Sequence, residues 1–247
     1  MEIKDIGIDD DGVLRSLDIY QYASGLQYYT GIKLSKDVLS GRFEELEELF
    51  QIFNEKYFQL YGEYPKFEEL IANPTGYSMR EIFGCSKLKE FTTFFLPFLK
   101  YCLLYKARKD ASEYMHKWKN EGRRLHIITG RKFTSDDTFI LLRNTSRWML
   151  ERRLEEDEIP FDTITYCSES LSWKDKYEAV ANYNIKAMLE DKKENINALI
   201  PITNILCFDA TYNKMCQGSN IYRITRGFLQ ADEVIQELEE KTKIKRK

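Results

Sequence analysis

The residues best suited to chemistry lie at four separated points of the chain. Asp9, Asp10, Asp11 and Gly12 follow a short apolar run. Two carboxylates two residues apart can face one crevice as the chain leaves a strand, and Gly12 lets the backbone turn sharply afterwards. An acidic turn explains the same residues, since Asp and Gly are favoured in loops. An EF-hand loop does not: Gly12 stands fourth rather than sixth in the run, and no Glu follows at the twelfth position. Thr129, Gly130 and Arg131 come next, after another apolar run. A hydroxyl at a strand end followed by Gly can hold a phosphate oxygen, and a Thr-Gly turn leading into a helix would look the same. Lys174 and Lys176 follow, either of which could neutralise a phosphate or a carboxylate. Glu190 and Asp191 form the last point. Two adjacent acids at a buried strand end are costly unless a cation offsets them. Mg²⁺, which takes hard oxygen ligands, is the natural candidate. Asp191 as the cap of a following helix is the alternative.

These groups can meet only if the intervening elements bring them together. From residue 110 onward, short apolar runs alternate with amphipathic helical patterns. Helices are predicted over residues 110–120, 136–154, 174–183 and 194–200, and from residue 231. Strands are predicted over 3–9, 125–129, 161–166, 187–190, 205–208 and 221–224. That alternation implies an α/β fold, a Rossmann-like parallel sheet sandwiched by helices. Ligands of such sheets sit beyond the carboxyl ends of the strands, where all four points fall. Between the first point and the second, Phe, Tyr, Leu and Glu recur at helical spacing, which predicts an inserted helical domain. The expected division is a core of residues 1–17 and 105–247 with the insertion at 18–104. Its aromatics, among them Tyr20, Tyr22, Tyr28, Tyr29, Phe43, Phe50, Phe53, Tyr57 and Phe58, are expected mainly to fill a small helical core. One or two could stack on a base.

Composition sets outer limits. The chain has 247 residues, 43% of them apolar and 31% charged, with a net charge of −3. It reads as globular, and the charge argues against a nucleic-acid polymer as partner. No apolar run approaches membrane-spanning length. The sequence MEIKDIGIDDDG shows no signal-peptide pattern, so a cytoplasmic protein is the default expectation. The basic stretch at residues 241–247 reads as a solvated tail. The five cysteines show no metal-ligand spacing and read as reduced, packed thiols. Of the two histidines, His126 is expected in the core and His116 at the surface.

The order Asp-x-Asp, Thr, Lys, Glu-Asp, each after successive β-α units, resembles the haloacid-dehalogenase-like (HAD) phosphatase superfamily. Glu-Asp replaces the commoner Asp-Asp. From residue 110 on, the stretches KDASEYMHKWKNEGRRLHIITGR, TSRWML, FDTITYCSE, WKDKYEAV, MLEDKKENINAL and FDATYNK look like the 5′(3′)-deoxyribonucleotidase branch and its bacterial relatives. The resemblance fades across residues 15–105. It implies that Asp9 is a nucleophile forming an aspartyl-phosphate and Asp11 the acid/base. It implies phosphate binding by Thr129, Gly130 and Lys176, with Lys174 as the other lysine candidate. Mg²⁺ would be held by Asp9, the Asp11 backbone carbonyl and Asp191, with Glu190 acting through bound water. Arg131 is a possible substrate contact, and Asp10 a bystander tolerant of substitution. The implied function is hydrolysis of a small phosphorylated substrate, most simply a nucleotide. The alternatives are a sugar- or polyol-phosphate phosphatase and, in a different class, a catalytically silent binding module.

Overall fold

The computed structural model describes residues 2–131, 134–135 and 140–244. The chain divides into two compact units, one of residues 1–15 and 107–247, the other of residues 16–106. In chain order, β1 (Asp5–Ile8) leads into α1 (Leu17–Thr30), α2 (Ser35–Leu39), α3 (Leu46–Tyr61), α4 (Phe67–Leu70), α5 (Met79–Phe83) and α6 (Lys87–Leu104). Then come α7 (Ala111–Asn120), β2 (Arg124–Thr129), α8 (Ile140–Glu156), β3 (Thr163–Tyr166), α9 (Ser172–Asn182) and β4 (Ala187–Glu190). The chain continues through α10 (Lys193–Leu199), β5 (Asn204–Phe208), β6 (Ile221–Ile224) and α11 (Gly227–Ile244).

In the first unit the six strands form one sheet of order β3-β2-β1-β4-β5-β6, and every neighbouring pair is parallel. Successive strand residues point to opposite faces, and both faces are apolar. Leu125, Ile127, Leu189, Leu206 and Phe208 pack with Trp118 of α7, Leu150 and Leu154 of α8 and Phe228 of α11. Ile128, Met188, Ile205 and Cys207 pack on the other side with Val180 of α9 and Ile196 and Leu199 of α10. The sheet is therefore covered on both faces, as its near-continuous apolar strands require. This is the expected α/β, Rossmann-like architecture.

One helix start differs markedly from expectation. The last helix begins at Gly227, four residues before the predicted start, because the Asp110 carboxylate accepts a hydrogen bond from Leu229 N at 3.0 Å. This anion at the helix N-terminus is contributed by a residue far away in sequence. The helix expected over 136–154 runs from Ile140, and residues 136–139 lie outside the described residues. The cysteines are all free and buried. His126 is buried between Thr163 Oγ1 (2.8 Å) and Asp5 (2.9 Å), while His116 is exposed.

The second unit is wholly helical. Tyr20, Tyr22, Phe43 and Phe53 are buried in it, whereas Tyr28 and Phe58 are about half exposed. Tyr20 meets Tyr101 with ring centroids 4.5 Å apart, and Tyr22 meets Phe50 edge-on at 5.5 Å. Aromatic contacts of this kind give a small helical layer more buried area per residue than aliphatic ones. Among the described residues, no helix is long and apolar enough to cross a membrane.

Candidate active site

The carboxyl ends of β1, β2 and β4 carry three of the four sequence points, and the start of α9 carries the fourth. Asp9 follows β1, with its amide bonded to Leu189 O at 3.0 Å. Its side chain is buried, and one oxygen accepts from Asp10 N at 2.8 Å. The other lies 2.5 Å from the ammonium of Lys176. Lys176 is fully buried and also meets Glu190 Oε2 at 2.6 Å. Lys174 points elsewhere: it is exposed, and among the described residues it pairs with Glu178, at 4.0 Å. Glu190 has both oxygens engaged, since Oε1 accepts from Asp191 N (3.1 Å) and Lys192 N (2.9 Å). It acts as the anchor of Lys176 and of the loop that follows β4.

Asp191 is treated differently. The Tyr212 hydroxyl donates to Oδ2, while Oδ1 is buried with no hydrogen-bond partner among the described residues. Gly12, at φ +88°, packs directly against this carboxyl group; a Cβ there would fall 1.9 Å from Asp191 Oδ2. Gly12 is thus needed twice, for a left-handed backbone and for the space Asp191 fills. Thr129 ends β2 with its hydroxyl buried and also without a hydrogen-bond partner among the described residues. Gly130 lies against the start of α9, where a Cβ would come 2.9 Å from Ser172 Cβ.

Asp9, Glu190 and Asp191 each offer an oxygen within 4.8 Å of the others. Burial pushes Asp9 well above the ordinary carboxylate range; Lys176 opposes this, while Glu190 and Asp11 add to it. Burial, then the charges of Glu190 and Asp9, likewise push Asp191 well up. For Glu190 burial is more than offset by Lys176, so its pKa falls. Lys176 is raised in turn, because Asp9 and Glu190 together outweigh its burial. Three buried carboxyl groups therefore share one ammonium, and the shortfall is concentrated on Asp191 and Asp9. An all-oxygen donor set with an unpartnered carboxylate oxygen fits a hard divalent cation such as Mg²⁺.

The acids beside Asp9 are arranged otherwise. Asp10 is fully buried and bonded to both Arg15 and Arg131. This corrects the reading of Asp10 as a tolerant bystander. Its side chain does turn away from Asp9, but into the protein, where two guanidinium groups depend on it. Arg131 is buried too, and holds Asp11 through Nε to Oδ2 (3.1 Å) and Nη2 to Oδ1 (2.7 Å). Among the described residues, its partners Asp10 and Asp11 are acids of the loop after β1. Arg15 continues to Asp157 at 3.1 Å, which also accepts from Arg153 at 2.6 Å and from Ala107 N at 3.0 Å.

Sequence reasoning assigned no role to Tyr212, Asn213, Arg15 or Asp157. Tyr212 and Asn213 lie in the stretch FDATYNK, which carried part of the resemblance. Its spacing gave no hint that a tyrosine 21 residues after Asp191 would reach that side chain.

No protein-family model matches the chain, and no curated protein matches its sequence. Solved structures do resemble it. An L-2-haloacid dehalogenase is 12% identical with a TM-score of 0.54, covering 96% of this chain and 100% of that one. A dehalogenase with an intermediate complex is 12% identical with a TM-score of 0.50, covering 95% and 98%. CbbY from Rhodobacter sphaeroides in complex with phosphate is 13% identical with a TM-score of 0.46, covering 92% and 95%. The likeness to the two dehalogenases shows that this chain shares their fold.

Proposed function

We propose that this chain is a Mg²⁺-dependent phosphomonoesterase that works through an aspartyl-phosphate on Asp9. A fold shared with dehalogenases does not decide the reaction, so the site must. The observation that carries the reading is the buried set of Asp9, Glu190 and Asp191 on a single lysine, with an unpartnered oxygen on Asp191. Such a set calls for a further cation, and a phosphate ester is the kind of anionic substrate that a cation makes approachable. The unpartnered Thr129 hydroxyl supplies a donor for a phosphoryl oxygen.

In this mechanism a carboxylate oxygen of Asp9 bonds to phosphorus as the bond to the leaving oxygen breaks. Asp11 gives its proton to that leaving oxygen. A water then attacks phosphorus, Asp11 takes the water's proton, and the Asp9–phosphorus bond breaks to release phosphate. Dividing the displacement in two lowers the barrier of each part. Lys176 and Thr129 hold the non-bridging oxygens as their charge redistributes. Glu190 keeps Lys176 in place. Mg²⁺, held by Asp9, Asp191 and the Asp11 backbone carbonyl, with Glu190 behind them, would offset the repulsion between carboxylate and phosphate.

The substrate in this reading is a small phosphorylated metabolite in the cytoplasm. A nucleoside monophosphate is favoured by the resemblance of the chain from residue 110 on to nucleotidases, and a sugar or polyol phosphate is the alternative. We assign the helical unit the role of a substrate-selecting cap. The test is a screen of pyrimidine and purine 5′- and 3′-monophosphates, sugar phosphates and polyol phosphates, with and without Mg²⁺. Turnover that requires the metal is expected. Absence of turnover on every member with metal present would sink the proposal in favour of a silent binding module.

A further inference from the structure

We infer that Tyr212 is a positioning residue for Asp191, fixing its carboxylate so that one oxygen alone is presented to a divalent cation. The inference rests on the reading of Asp191 as a metal ligand. The two oxygens of Asp191 are not equivalent. Oδ2 accepts the Tyr212 hydroxyl hydrogen, while Oδ1 is buried with no hydrogen-bond partner among the described residues; the carboxyl group lies against Gly12 and offers an oxygen within 4.8 Å of oxygens of Asp9 and Glu190. A carboxylate free to rotate would offer either oxygen. This one is held at one end by a donor and on one side by backbone.

Tyr212 is itself held from below. It sits in the 3-10 turn Thr211–Asn213, directly after β5. Asn213 is fully buried, and its amide donates to Asp191 O and Phe208 O, both at 2.7 Å. The same turn therefore grips Asp191 twice, by its side chain through Tyr212 and by its main chain through Asn213. Arg223 of β6 locks the turn, donating to Asn213 Oδ1 at 2.9 Å, to Asn213 O at 3.0 Å and to Asp209 at 2.6 Å. A hydrogen-bonded platform of this kind fits a second layer around a ligand, and such layers typically change metal affinity about 10- to 100-fold when broken.

The experiment is calorimetric titration of the full chain with Mg²⁺, comparing wild type, Tyr212→Phe and Tyr222→Phe. The first variant removes the hydroxyl and keeps the ring. The second removes a hydroxyl from β6, away from Asp191, as a control. Circular dichroism checks that each is folded. Tyr212→Phe is expected to weaken Mg²⁺ binding about tenfold or more, with Tyr222→Phe matching wild type. Equal affinity in wild type and folded Tyr212→Phe overturns the positioning role and leaves the metal reading standing. No Mg²⁺ binding by wild type removes both.

Discussion

Two sets of acids lie around the loop after β1, and the protein neutralises them in opposite ways. Asp10, Asp11 and Asp157 meet Arg15, Arg131 and Arg153 in a chain of paired charges. Asp9 and Glu190 meet Lys176, and Asp191 lies beside them with an oxygen within 4.8 Å of oxygens of both. Both sets are largely buried, so burial does not distinguish them. The balance of charge does. Guanidinium groups with five donors each can satisfy several carboxylate oxygens at once, and every carboxylate oxygen of Asp10, Asp11 and Asp157 is met in this way. The second set keeps an unpartnered oxygen on Asp191. Matched charges hold a structure together; a shortfall maintained in a buried crevice marks where a ligand is to supply the difference.

If that contrast is right, the largest effect belongs to the unmatched set and to chemistry. Asp9→Asn should reduce kcat on any phosphomonoester the enzyme accepts by roughly 10⁴-fold or more, as expected when a covalent nucleophile is lost. The circular dichroism spectrum should be unchanged. Near-normal turnover in that variant would remove Asp9 as the nucleophile.

The next effect belongs to the matched set and to stability. Asp10→Asn leaves Arg15 and Arg131 buried without the charge they share. Breaking a buried ion pair from one side costs about 3–5 kcal/mol, which denaturant titration would read directly. A loss below about 0.5 kcal/mol, normal for a surface site, would show that the arginines do not depend on Asp10 and would erase half of the contrast.

Metal should act on the side chains of one set only. Mg²⁺ at roughly 100 times its Kd should stabilise the wild-type chain by about 2.7 kcal/mol, or on the order of 5–10 °C in Tm for a chain of this size. Chelation should reverse it. In Asp10→Asn the Mg²⁺-induced gain should persist on top of the lower baseline. A chain whose Tm ignores Mg²⁺ would leave the charge shortfall unexplained.

What could be read from the sequence follows the same division. The alternation of apolar runs and helical patterns announced a parallel sheet, because strands covered on both faces must be apolar throughout. The sheet then brings Asp9, Thr129 and Glu190 to one edge, since Asp-x-Asp, Thr and Glu-Asp each follow an apolar run. What could not be read is anything set by pairing across the fold. Asp10 looks like its neighbours in sequence, and only the positions of Arg15 and Arg131 give it a buried role. The start of α11 depends on Asp110, and the orientation of Asp191 on Tyr212, both remote partners. Local pattern carries periodicity and turn chemistry. It does not carry which charge meets which.

The smallest effect is the most discriminating, because it has the opposite sign. Asp191→Asn keeps an oxygen to accept the Tyr212 hydroxyl hydrogen. It removes one negative charge from a set with three carboxyl groups on one lysine. Its amide group also brings donors to a place occupied only by acceptors. Without metal this should raise stability by about 1 kcal/mol, the usual gain when strain kept for function is relieved. The same variant should lose its Mg²⁺-induced stabilisation and its turnover. Asp10→Asn, the identical chemical change two side chains along from Gly12, should do the reverse in metal-free buffer. Paired denaturant titrations of the two variants in chelator therefore test the contrast itself. If Asp191→Asn destabilises as much as Asp10→Asn, both acids are structural, and the space beside Asp191 Oδ1 is not held open for a cation.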